Sequence, residues 1–529
     1  MNKNNSFSQR PFLGAGTTLP DFLRCAAETT TRRLNQTSIP FFLGIIFPSL
    51  LVLCFLSMPS WVNAAEMGKI PFIYSSDIYH PPADPDDHYD LALLFALHEL
   101  EVKAFLFDNA MHRDNPGDHA FGALKQVAAI YNKPVPPFAV GLSQPLKSLD
   151  DPGTDQPAEF QKGVELLLDT LRKSEQKVVL FLVGSCRDFA AAFNREPELL
   201  KNKVKAVYVN AGNGPDGEQN EWNVMLCPVS YESLMMSGLP IYWCPCFHGL
   251  TGNMKPGELE IRKQYATHFV IPNQAEFLRN VSPELHNFFF YMLNNCPEDP
   301  IAFLKSEPQP LPTSGRHMWC SGPFFHAAGR DIYRSTDGKY MACTPEQARA
   351  LGSSVKKIEV YRFEPLRLER GYKDDSTLAK ENTVCRFMGT EEDKVGQNSL
   401  EKDGIKDHHV RISGLDVQKK IAKIVITAPR EARWESTPSD RWWRVASERN
   451  GEYLDCYFSP YTPGTHTLSL SFEDGSNQEF TCYVPGRWPY FRSTFVENSS
   501  TEVFRYLEKD FNAIMCSVVS GLLEQETQK

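Results

Sequence analysis

Asp77, Asp84, Asp86, Asp87 and Asp90 crowd the stretch from Tyr74 to Asp90, with Pro81, Pro82 and Pro85 among them. So many carboxylates repel one another unless a cation sits between them or some take up protons. A hard divalent cation is the economical answer, because calcium takes about six to eight oxygen ligands, often carboxylates. The plainer reading is a solvated acidic loop that caps the next helix, since helix N-termini attract Asp.

The flanking elements decide whether such a loop can be a site. Residues 70–74 are apolar and predict a short buried strand; residues 91–100 predict a helix. The acidic loop then lies beyond the carboxyl end of a strand, where open α/β sheets bind ligands. The same grammar repeats. Residues 101–107 predict a strand ending at Asp108-Asn109, and 121–131 a helix. A strand at 134–140 and a helix at 158–174 follow. Residues 177–183 are β-branched and apolar, the pattern of a central parallel strand, and end in Gly184-Ser185-Cys186. A strand at 204–209 ends in the low-bulk loop Asn210-Ala211-Gly212-Asn213-Gly214. A helix at 229–237 and a strand at 239–244 follow. The expected fold is α/β, a mostly parallel sheet flanked by helices.

From about residue 351 short alternating strands take over, separated by turns such as Asn450-Gly451 and Asp474-Gly475. This predicts a C-terminal antiparallel β-sandwich domain. Residues 373–408 are polar and read as a long loop; 500–523 read as a closing helix. The expected division is 1–65 leader, 66–348 α/β domain, 349–490 sandwich and 491–529 helical segment.

At 529 residues two or three domains are expected. The net charge of -10 argues against a nucleic-acid partner. Residues 39–58 carry no charge, and Val62 and Ala64 suit a cleavage site. That predicts a signal peptide with a long polar lead, or else an uncleaved membrane anchor. Either places the rest outside the cytoplasmic membrane, periplasmic or extracellular. The 13 cysteines do not define the fold; Cys456 and Cys482 are candidates for a pair across the sandwich.

Asp77 with Asp86-Asp87, between a strand and a helix, resembles a stretched form of the DxDxxxDD signature of nucleoside hydrolases. Asn109 falls where that family keeps an Asn at the end of its second strand. Val183-Gly-Ser-Cys-Arg-Asp-Phe-Ala190 resembles the family's VGPLTNLA turn, with Arg187 near the expected Thr. Glu221-Trp222-Asn223 resembles its EFN segment, and the stretch from His317 to His326 its last loop and helix. The likeness covers about residues 68–345.

The resemblance implies the nucleoside hydrolase fold, bound calcium, and hydrolysis of a ribonucleoside to base and ribose. By resemblance Asp77, Asp84, Asp86 and Asp87 are metal ligands, Asp84 as a substitute if the stretched loop bends differently. Asp77 is also the general base for the attacking water. Asn109, Asn213, Glu221, Trp222 and Asn223 hold the substrate, and His317 or His326 protonates the departing base. Each has a bland alternative: an Asx-turn for Asn109, a surface approach for Glu221 and Asn223, a satisfied His, a packing Trp. Where the family has its last Asp ligand this chain has Cys320, and a thiol is a poor calcium ligand. A sugar-binding relative, or a hydrolase of another glycosyl substrate, stays open. Trp434, Trp442, Trp443 and Tyr490 supply aromatic faces for the former. The expected partner is a small nucleoside or ribosyl compound; a homo-oligomer is open, and a membrane enters only through the leader.

Overall fold

Five strands begin the sheet of the α/β body: β1 (Ile70–Ser76), β2 (Leu100–Phe107), β3 (Phe138–Val140), β4 (Val178–Leu182) and β5 (Val204–Val209). β1 and β4 are apolar and buried along nearly their whole length, so they must lie inside a sheet covered on both faces. The computed structural model describes residues 68–82, 85–109, 120–215, 217–219, 221–246, 264–371, 384–392, 406–416, 418–427, 433–435, 445–458, 464–484 and 489–527. In it the order is β3-β2-β1-β4-β5, followed by Ile241–Trp243, all parallel. From β1 the chain builds outward to β3, then crosses back to β4. The β1/β4 boundary is therefore the switch point, and a crevice opens beyond the carboxyl ends of these two strands.

Alternation along the strands divides the core. Phe72 and Tyr74 face helices α1 (Asp86–Ala96) and α2 (Phe121–Ile130), together with the helices Ser321–Ala327 and Phe511–Thr527. Phe324 stacks on Phe181 of β4 at 4.4 Å, which fixes the helix Ser321–Ala327 above the sheet. Such a pair contributes about 1 kcal/mol beyond area burial. Ile73 and Leu180 face α3 (Lys162–Lys173) and α4 (Arg187–Arg195) on the other side.

The packing under α4 is tight. A Cβ at Gly141 would lie 1.8 Å from Oδ2 of the buried Asp188, and one at Gly163 would lie 2.6 Å from Gly141 Cα. Gly141→Ala is therefore expected to cost about 2 kcal/mol or more. The check is a lower denaturation midpoint at unchanged slope.

The sheet is larger than the sequence pattern indicates. Thr501–Tyr506 adds in parallel beside Ile241–Trp243, and Tyr361–Gly371 and Tyr490–Phe495 continue it antiparallel, with Gly217–Glu218 at the edge. The first lies in the stretch read as a closing helix; Tyr361–Gly371 falls within the expected sandwich, and Tyr490–Phe495, but for Tyr490, within the expected helical segment 491–529. Thr501 and Val503 are buried while Glu502 is partly exposed, a period-two pattern, and the helix starts only at Phe511.

The sandwich itself is present as two four-stranded antiparallel sheets, with Val410, Ile412, Ile426, Leu454, Leu468 and Leu470 between them. Cys385–Glu392 is a strand inside the stretch read as a loop. The thiol that contacts Cys482 is that of Cys385, and no disulfide joins Cys456 to Cys482. The leader, Trp442 and Trp443 lie outside the described residues. Among the described residues no helix is long and apolar enough to cross a membrane.

Candidate metal centre

α1 starts just past the β1 loop, with Asp86 and Asp87 in its first turn, where the helix dipole favours negative charge. Every residue of α1 is buried, so these carboxylates cannot simply turn to solvent. Asp90 comes three and four residues later and lies on the same face. Across from it Cys320 caps the helix Ser321–Ala327, and Ser321 Oγ donates to Asp90 Oδ1 at 2.6 Å. Ligand atoms of Asp86, Asp87, Asp90 and Cys320 all lie within 4.8 Å of one another. Their exposures are 7%, 7%, 0% and 2%.

Asn210, at the end of β5, fixes the thiol. Its Nδ2 donates to Cys244 O, Thr267 Oγ1 and Trp319 O, so a flipped amide would set its oxygen against two carbonyl oxygens. Its Oδ1 accepts from Cys320 Sγ at 2.8 Å and from Cys246 Sγ at 3.5 Å. Burial, with Asp90, Asp86 and Asp87 beside it, pushes the Cys320 thiol well above its ordinary pKa. Below the group lies Tyr74, fully buried. Its hydroxyl has no hydrogen-bond partner among the described residues, and it feels the charge of all four groups.

Of the expected ligands, Asp86 and Asp87 are in this group. Asp84 lies outside the described residues. Asp77 is half-buried just past β1 and is not one of the four. Asp90 was absent from the expected ligand set, although its spacing from Asp86 and Asp87 on one helix face could have placed it there. Asn109, past β2, is fully buried, and neither amide atom has a partner among the described residues.

Glu221 is buried and bonded to backbone. It caps the helix Trp222–Leu226 by accepting from Asn223 N at 2.9 Å, and it accepts from Gly212 N at 2.8 Å. Burial pushes its pKa up to about 7. Gly212 needs no side chain: at φ +91 a Cβ would meet Tyr231 Oη at 2.4 Å. Asn223 Nδ2 donates to Asn210 O, and the backbone N–H of buried Asn213 donates to Gln219 Oε1. Trp222 is half-buried.

The two expected histidines part company. His317 is exposed on Arg316–Met318; its Nδ1 lies 2.8 Å from His268 Nε2, and both rings pack on Trp319. His268 carried no signal in the sequence. His326 is at the far end of the helix that Cys320 caps, with Nδ1 2.7 Å from the Tyr208 hydroxyl and its ring against Tyr242 and Phe363. Helical rise carries it away from the acidic group. His88 is buried with neither ring nitrogen partnered among the described residues, and burial lowers its pKa to about 3.

Beneath the β4 turn, Arg187 is fully buried. It donates to Ser185 Oγ at 2.9 Å and to Ser143 O at 2.8 Å, and lies 3.7 Å from Asp108 Oδ1. Asp188, next to it, is pushed up to about 7 by burial and by Asp108. An acid whose folded pKa is raised holds its proton longer than the unfolded chain does. Its contribution to stability is whole below the ordinary Asp value and is lost as pH rises to about 7. Asp188→Asn is expected to gain on the parent by about 1.4 kcal/mol per pH unit across that window. Urea midpoints of both proteins at pH 4 to 8 check it.

No family model matches the chain. It is 27% identical over 190 residues to the pyrimidine-specific ribonucleoside hydrolase RihA of Salmonella schwarzengrund, covering 32% of this chain and 58% of that protein. The protein of the same description from Klebsiella pneumoniae is 27% identical over 174 residues, covering 30% and 55%. The chain thus spans little more than half the length of these relatives. Among solved structures, an inosine-uridine preferring nucleoside hydrolase from Bacillus anthracis shares 15% identity, covering 48% of this chain and 91% of that one, with a TM-score of 0.28. The effector protein XOO4466 shares 13%, covering 58% and 86%, with a TM-score of 0.35. The fold stands on the strand order and registers above, not on these overlays.

Proposed function

Because the α/β body of this chain is nucleoside hydrolase-like, we propose that it hydrolyses the N-glycosidic bond of ribonucleosides with the help of a divalent cation. The observation that carries the reading is the convergence of Asp86, Asp87, Asp90 and Cys320 within 4.8 Å, beside the switch point of the sheet. Crowded carboxylates and an unpartnered Tyr74 hydroxyl fit a cation. Calcium is the ion the resemblance implies; the carboxylates suit it and the thiol does not. Bound there, a divalent cation supplies positive charge that orients a water and lowers its pKa.

The chain's own residues supply the rest. The carboxylate of Asp77, half-buried at the β1 end, takes the water's proton. The amide of Asn109 meets ribose hydroxyls. Asn223, oriented by Asn210, and Asn213 line the same loop, and Trp222 packs on the base. Glu221 is a positioning residue that holds the Gly212 loop. His317, paired with His268, gives its proton to the leaving base. The surrounding carboxylates favour the positive charge that develops on the sugar ring.

The test is reducing-sugar release from purine and pyrimidine ribonucleosides by the full chain, with and without chelator. Release that stops on chelation supports the reading, and no release from any ribonucleoside overturns it. The reading also places the enzyme outside the cytoplasm, on the uncharged run 39–58 and the small residues Val62 and Ala64. N-terminal sequencing of exported protein should begin at Ala65; a retained residue 1 with no exported form would sink that part.

A further inference from the structure

Resting on that reading of the site, we propose that the group selects a thiophilic divalent ion of the zinc class over calcium, with Cys320 as its sulfur ligand. Three carboxylates and one thiol sulfur each bring a ligand atom within 4.8 Å of the others. About four donors complete a zinc shell, and sulfur is a favoured one. Calcium wants about six to eight oxygens. Exposures of 0 to 7% set the four groups away from bulk water. Soft thiolate selects zinc-like ions, and a carboxylate set alone selects calcium or magnesium.

Two further observations support sulfur as a ligand. Cys320 Sγ is held in place by an amide that three other contacts orient. On binding, the S–H bond breaks, the sulfur–metal bond forms, and the proton leaves to solvent. Asn210 Oδ1 then keeps Cys246 as its donor, already 3.5 Å away. The second is Tyr74, whose fully buried hydroxyl lacks a partner among the described residues. It stands under the four groups as a ready donor to an ionised ligand, the outer-shell role that fixes metal sites.

The experiment titrates chelator-treated full chain with Co²⁺ and follows the near-ultraviolet sulfur-to-cobalt charge-transfer band. The band is expected. Zn²⁺ should remove it at concentrations on the order of 100-fold lower than Ca²⁺ needs. Cys320→Ser should lose it, and Cys516→Ser, at a cysteine outside the site, should keep it. Cobalt bound without the band, or displaced as readily by Ca²⁺ as by Zn²⁺, overturns the proposal, and this competition on the unaltered protein needs no variant to fold. A band with no nucleoside hydrolysis would uphold the ion and sink the proposed reaction. Calcium-supported hydrolysis with no band would do the reverse.

Discussion

Asp86→Ala should abolish ribonucleoside hydrolysis, with a loss on the order of 1,000-fold or more in turnover, since it removes a charge from the centre that stabilises the reaction. Metal affinity should fall with it. The metal-free protein should lose little stability, because relief of the crowding beside Asp87 and Asp90 offsets the lost helix-dipole contribution. That combination separates a site residue from a structural one. Activity, ion binding and melting measured on the same preparation would show it. Retained hydrolysis would mean that the acidic group is not the centre. Parallel loss of folding would mean that Asp86 holds α1 rather than an ion.

Arg187→Met should cost about 3–5 kcal/mol of stability, the range for breaking a buried pair by removing one partner. The side chain is fully buried and makes two hydrogen bonds besides its approach to Asp108. Without it Asp108 keeps, among the described residues, the Ser185 donors and Tyr79 on its backbone oxygen. Burial already raises the Asp108 pKa. The deficit should therefore shrink at low pH, where that carboxyl can take up a proton. Denaturant midpoints at pH 7 and pH 4 check both statements. A uniform deficit at both would assign the loss to packing alone. Arg187 and Asp188 are neighbours, so their double variant is not expected to be additive.

What sequence pattern could reach follows from range. β1, β2, β4 and β5 are apolar runs whose burial is legible locally, and Asp86-Asp87 announce a helix start as well as a site. Thr501–Tyr506 alternates only over its first three residues, and its neighbours in the sheet are Ile241–Trp243 and Tyr361–Gly371. Alternation gives the period of a strand and not its partner. The site divides in the same way. Cys320 was legible as a departure in a familiar loop; Asn210, which fixes its sulfur, was not, because that bond joins two loops distant in sequence. Glu221 looked like a sugar ligand because of its company. Backbone donors at Gly212 and Asn223 hold it, which its sequence company did not show. His326 lies in the expected segment, at the far end of the helix that Cys320 caps.

Gly371 and Tyr490 face each other in antiparallel register. The chain leaves the main sheet at one and rejoins it at the other, about 5 Å away. The sandwich is thus a guest grafted into a hairpin of its host, held at both ends of one doorway. Excising residues 372–489 and closing the gap with a tight turn should spare the host. Ending the chain at residue 348 should not, although it removes no residue of the acidic centre. That cut would strip Tyr361–Gly371, Tyr490–Phe495 and Thr501–Tyr506 from the sheet, and with them the helix Phe511–Thr527, whose Met515, Val518 and Leu523 pack in the core beneath α1. The boundary of the folding unit and the boundary of the sequence likeness are different places.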